Sequence, residues 1–128
     1  MTTGDTGVLD EPVHFVEGRQ VNTEEDSYYD LPNRSEEAAS LYEHCVRAIL
    51  WGLRTGEHGL PLIGGGDWND GMDRVGEQGK GESVWLGFFL YEVLMRFSEV
   101  ASRYGDDSFS ERCRKEAERV RRNIEEHG

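Results

Sequence analysis

Residues 82–104 read ESVWLGFFLYEVLMRFSEVASRY, and this stretch decides the fold class. Apolar residues from Val84 to Val100 recur at helical spacing and cover most of the circumference. A helix that is apolar on most sides needs several neighbours to bury it. Two further helical patterns flank it. The first is expected from Ser35 to about Leu53, with Ser35 as N-cap and Glu36 and Glu37 at the positive end of the helix dipole. Ala38, Leu41, Cys45, Ile49 and Leu53 form its apolar stripe, and Glu43 and Arg47 pair on its wet side. The second follows Gly105 and is expected from Ser108 to about Glu126, opened by the capping-box spacing of Ser108 and Glu111. It carries one narrow stripe (Phe109, Cys113, Ala117, Val120, Ile124) and is otherwise charged, with Glu111–Lys115 and Glu118–Arg122 four apart. Residues 1–34 read as an extended lead-in with a short strand around Val13 and Phe15. The pattern predicts an all-α fold in which inner and outer helices alternate, as in an α/α barrel.

The chain has 128 residues, the size of one domain or part of one. Hydrophobic residues make up 36%, a lean supply for an independent core. The net charge of −12 repels phosphate backbones, so nucleic acid is excluded as a general partner, and anionic membrane surfaces are disfavoured. Cys45 and Cys113 sit far apart among apolar neighbours and read as two buried free thiols. The four histidines are scattered and no Cys/His spacing suggests zinc, so no metal is expected. The N-terminus lacks the basic start and apolar run of a secretion signal. No stretch reaches the roughly 18 apolar residues that span a bilayer. A cytoplasmic location follows as the expectation.

Between the first two helices lies GGGDWNDGMDRVG, residues 64–76. Eleven of the sixteen glycines fall between Gly52 and Gly87, so backbone freedom is concentrated here. A solvated turn would explain the glycines and the acids, but it has no need of Trp68. An EF-hand loop counted from Asp67 fails, with Gly71 at its fifth position and Gln78 at its twelfth. A P-loop fails because Met72 stands where lysine is required. A sugar site fits better. Tryptophan stacks on pyranose faces, Asp and Asn match hydroxyl groups, and an aspartate with a raised pKa can protonate a glycosidic oxygen. Asp67, Asp70 and Asp73 are close enough in sequence to perturb one another.

The stretch HGLPLIGGGDWNDGMDRVGEQGKGESVWLGFFL, residues 58–90, resembles the catalytic region of glycoside hydrolase family 94. That family holds cellobiose and chitobiose phosphorylases and the C-terminal region of cyclic β-1,2-glucan synthetases. GVLDEPVHFVEGR and SLYEHCVRAI extend the resemblance towards the synthetase branch, over about Gly7 to Arg122. Asp73 stands where the family pattern has Asn. The resemblance implies an (α/α)6 barrel, of which about three helices are read here. It also implies inverting phosphorolysis of a β-glucosidic bond, with release of α-glucose 1-phosphate. Asp70, the second aspartate of DWND, would be the general acid. Asp67 and Trp68 would shape the glucosyl subsite, while Asn69, Arg74 and Glu82 would contribute more weakly.

The implied partner is a β-glucan or glucosyl oligosaccharide. Inorganic phosphate is the implied co-substrate, and no other cofactor is expected. Residues 1–128 then read as a piece of one catalytic domain, from a parent enzyme in some cases tethered to the inner membrane. Self-association through the apolar helix 82–104 is expected of such a piece. The alternatives are a carbohydrate-binding remnant without catalysis and a truncated reading frame with no independent function.

Overall fold

A computed structural model of the chain describes residues 4–20, 22, 25, 29–64, 76 and 78–128. The chain divides into two compact units, residues 1–50 and 51–128.

The first unit corrects the all-α expectation. Strand β1 (Pro12–Glu17) pairs antiparallel with strand β2 (Asn33–Ser40), in a register running from Pro12 opposite Ser40 to Glu17 opposite Asn33. The ladder is irregular between His14 and Val16. The fold is therefore mixed α/β: a two-stranded sheet plus three helices among the described residues. The strand around Val13 and Phe15 was legible, but its partner was not. Ser35 does not cap a helix. It lies buried inside β2, where its carbonyl accepts from His14 Nδ1 at 2.9 Å and its hydroxyl accepts from the Glu37 N–H at 3.1 Å. Helix α1 begins only at Leu41 and runs to Gly52. The Ser40 hydroxyl accepts from the Glu43 N–H at 3.2 Å, meeting one of the donors that a helix start leaves unpaired.

Helix α1 is tied to β1 by side chains. His44 Nε2 donates to the Val13 carbonyl at 2.9 Å, and its ring stacks on Phe15 with centroids 3.9 Å apart. The Arg47 guanidinium lies 4.5 Å from the Phe15 centroid and also pairs with Glu43 and Glu37. The expected Glu43–Arg47 pair is present.

The second unit is built on helix α2 (Val84–Tyr104) and helix α3 (Asp107–His127). The buried residues of α2 are Gly87, Leu90, Leu94, Ser98 and Ala101, spaced three and four apart. They face Phe109, Ser110, Cys113, Ala117 and Val120 of α3, so the two stripes form one helix–helix seam. Small residues bring the helices close. A Cβ on Gly87 would stand 3.0 Å from Ile124 Cδ1. Two serines inside the seam satisfy each other's neighbourhood: Ser110 Oγ donates to the Ser98 carbonyl and Ser98 Oγ to the Met95 carbonyl, each at 2.7 Å. Phe97 and Phe109 meet edge to face.

The caps of both helices are local. Ser83 accepts from the Leu86 N–H at the start of α2. Gly105 ends it in the left-handed region, with φ 93°. Asp106, not Ser108, caps α3 by accepting from the Phe109 N–H at 2.9 Å. Glu118 pairs with Arg121 rather than Arg122, while Glu111–Lys115 is seen as expected. Cys113 is buried as a free thiol, and Cys45 is free but only half-buried. The opposite face of α2 is open: Trp85, Phe88 and Phe89 are 52%, 59% and 58% exposed.

Candidate functional site

Asp67, Trp68, Asn69, Asp70, Asp73 and Arg74 lie outside the described residues. The geometry on view is that of the residues bracketing them. After α1 the chain turns back on itself: Thr55 bridges Pro61, the Gly56 N–H donates to the Leu60 carbonyl (3.0 Å), and the Leu62 N–H to the Arg54 carbonyl (3.2 Å). The returning arm then pairs with residues 81–83. Leu62 bridges Glu82, the Ile63 N–H donates to the Gly81 carbonyl (2.8 Å), and the Ser83 N–H to the Pro61 carbonyl (2.9 Å). Residues 64–80 thus leave at Ile63 and rejoin at Gly81, two residues directly hydrogen-bonded to each other.

The tripeptide Gly81-Glu82-Ser83 divides the work. Gly81 accepts from Ile63, Ser83 caps α2, and Glu82 reaches across to the hairpin. One carboxylate oxygen of Glu82 accepts from the Leu60 N–H at 2.9 Å and from the His58 N–H at 3.1 Å. The other lies 2.6 Å from His58 Nδ1. The Glu82 side chain is only 12% exposed, whereas that of His58 is 56% exposed. Burial pushes the Glu82 carboxyl up, but the His58 contact and the backbone donors outweigh it and hold the group below the ordinary carboxylate value. The same hydrogen bond and the carboxylate charge hold His58 above the ordinary imidazole value.

The hairpin tip is fixed from a second side. Asn123 Nδ2 of α3 donates to the Gly59 carbonyl at 3.0 Å, and the His127 ring lies 5.1 Å from that of His58. Two glycines make room for these arms. A Cβ on Gly56 would stand 2.5 Å from Glu82 Cγ, and one on Gly59, at φ 71°, would overlap the Asn123 amide. Sequence reasoning ranked Glu82 among the weaker site residues and did not single out His58, Gly56 or Asn123. The available signal was an acid placed directly before a capping serine at the head of the most apolar helix. Its partners are remote in sequence, so no local spacing revealed them.

Among the described residues, no three His, Cys, Asp or Glu side chains gather as a metal site, and no helix is long and apolar enough to cross a membrane.

Residues 2–128 fall in a recognisable class, the catalytic domain of a glycosyl hydrolase. The model of the glycosyl hydrolase 94 superfamily catalytic domain matches residues 2–128, and the chain belongs to that family. Cyclic beta-(1,2)-glucan synthase NdvB of Rhizobium meliloti (strain 1021) is 50% identical over 97 residues, which cover 74% of this chain and 3% of that protein. Solabiose phosphorylase of Paenibacillus borealis is 40% identical over 72 residues, 56% of this chain and 9% of that protein. Cellobionic acid phosphorylase of Neurospora crassa is 32% identical over 98 residues, 76% of this chain and 12% of that protein. The matched region is therefore a small part of each relative's length.

Proposed function

We propose that this chain is the general-acid segment of a catalytic domain acting on β-glucans, by inverting phosphorolysis or the related glucosyl transfer. The carrying observation is the 50% identity to a cyclic beta-(1,2)-glucan synthase, joined by similarity to several phosphorylases. It favours a β-1,2-linked glucan as substrate. Asp70 protonates the glycosidic oxygen while phosphate attacks the anomeric carbon from the opposite face. The carbon–oxygen bond to phosphate forms as the glycosidic bond breaks, and the departing sugar takes the proton. Inversion converts a β-glucoside into α-glucose 1-phosphate. An inverting hydrolase needs a second carboxylate to activate water. Phosphate is already a competent nucleophile, so one acid suffices. Asp67 and Trp68 shape the glucosyl subsite, with Asn69 and Arg74 supplying polar contacts.

Residues 1–128 form part of one catalytic domain in this reading, which the match over residues 2–128 supports. Because the curated relatives are many times longer, activity is expected from a longer polypeptide and not from these residues alone. That enzyme is placed on the cytoplasmic side, with no membrane contact from this segment. The test is release of α-glucose 1-phosphate from β-1,2-glucan and phosphate, by the 128-residue chain and by a longer polypeptide containing it. Asp70→Asn in the longer form is expected to lower kcat by about 10²–10⁴-fold. Undiminished turnover by that variant would remove Asp70 from its role. Turnover by the short chain, lost on Asp70→Asn, would refute the need for further sequence.

A further inference from the structure

We propose that Glu82 is a positioning residue: its carboxylate clamps the hairpin 54–63 onto residues 81–83 and so fixes Ile63 and Gly81 relative to each other. Those two residues lie on either side, in sequence, of the glycine–aspartate stretch. What the stretch does there rests on the function proposed above, but the clamp itself does not.

The geometry is specific. A carboxylate largely withdrawn from solvent, its side chain 12% exposed, accepts from two parts of the hairpin, the His58 and Leu60 N–H groups, and faces the His58 ring. Buried carboxylates are costly unless their oxygens are met by donors, and bonds to a charged acceptor are about twice as strong as neutral ones. Gly56 leaves space for this arm that even a methyl group would fill. The backbone pairs Ile63–Gly81 and Ser83–Pro61 flank the clamp on both sides. Losing the carboxylate therefore releases the ladder at its centre. The charged or titratable groups around it are His58 and Glu57 on the hairpin and His127 from α3.

Amide hydrogen exchange on the whole chain tests this, with wild type, Glu82→Ala, Glu82→Gln and, as a surface control on α2, Glu92→Gln. In Glu82→Ala, protection at Leu60, Ile63 and Ser83 is expected to fall about tenfold or more relative to Leu94 and Val120 in the helix seam. Glu82→Gln, which keeps one acceptor oxygen, should restore part of that protection, and Glu92→Gln should change none of it. In wild type the same protection, corrected for intrinsic rates, should decline on acidification as the carboxylate takes up a proton. That decline should be absent from both Glu82 variants. Unchanged protection at Ile63 in Glu82→Ala would overturn the inference, as would an equal loss at Leu94 and Val120 or no protection at Ile63 in wild type. Failure to release glucose 1-phosphate would count against the proposed function and leave the exchange result standing.

Discussion

At Gly105 a side chain would meet nothing within 4 Å, yet φ is 93°. The cost of Gly105→Ala is therefore purely conformational, about 1–2 kcal/mol, and is expected as a lowered midpoint in thermal or urea unfolding. Gly56 is the opposite case. Its backbone angle is ordinary, but Glu82 occupies the space a Cβ would need. Gly56→Ala is expected to cost about 1–3 kcal/mol by forcing the carboxylate arm aside. The measured loss should shrink when Glu82 is already alanine, because the clash has gone. Gly105 was legible in sequence, since a glycine after a long apolar helix is the usual stop. Gly56 was legible only as a glycine marking the end of the first helix and the start of a glycine-rich loop. Its requirement comes from a residue on the far side of the signature stretch, and no local pattern encodes that.

Among elements, the seam between α2 and α3 carries the packing of the second unit. Leu94 and Val120 are fully buried in it. Leu94→Ala is expected to cost about 2–5 kcal/mol, whereas Phe88→Ala on the open face of the same helix should stay within about 0.5 kcal/mol. Denaturant midpoints of the two variants check the contrast. Both helices were legible because their apolar residues recur three and four apart, and only their caps moved by a residue or two. Residues 35–40 were misread because Glu and Ala favour helices in isolation. Pairing with β1 overrides that preference, and pairing over a long separation leaves no periodic trace.

The contact between the hairpin and residue 82 should also respond to pH. Glu82 is held below its ordinary value, so its contribution is complete above about pH 4.5 and is lost as pH falls through the lowered value. His58 is held above its ordinary value, so its contribution is complete below about pH 6.5 and is lost as pH rises through the raised one. Hairpin stability is expected to plateau between those limits. His58→Gln should remove the alkaline decline and keep the acid one, read from urea midpoints or from exchange at Leu60 across pH.

For the molecule as a whole, the open face of α2 sets the expected behaviour in solution. Trp85 and Phe89 lie nearly parallel, with centroids 6.0 Å apart, and Phe88 is exposed beside them. Contiguous exposed aromatics promote association. The chain is expected to elute from a sizing column above its monomer mass, and the double substitution Phe88→Ser with Phe89→Ser should shift it towards monomer. Monomeric elution of the unaltered chain would contradict this. The sequence offers the candidate site only as a motif, whose residues 65–75 lie outside the described structure. Its supporting frame was not legible, because that frame is assembled from backbone groups and one carboxylate.

The direct bond between Ile63 and Gly81 has an evolutionary consequence. A segment whose two ends are already joined is inserted into the fold like a sentence in parentheses. The Ile63–Gly81 and Pro61–Ser83 pairings hold its flanks in register without it. Doubling such a closed excursion adds only about 0.6 kcal/mol of closure entropy. A change between the brackets then carries a small entropic cost, while the brackets stay as they are.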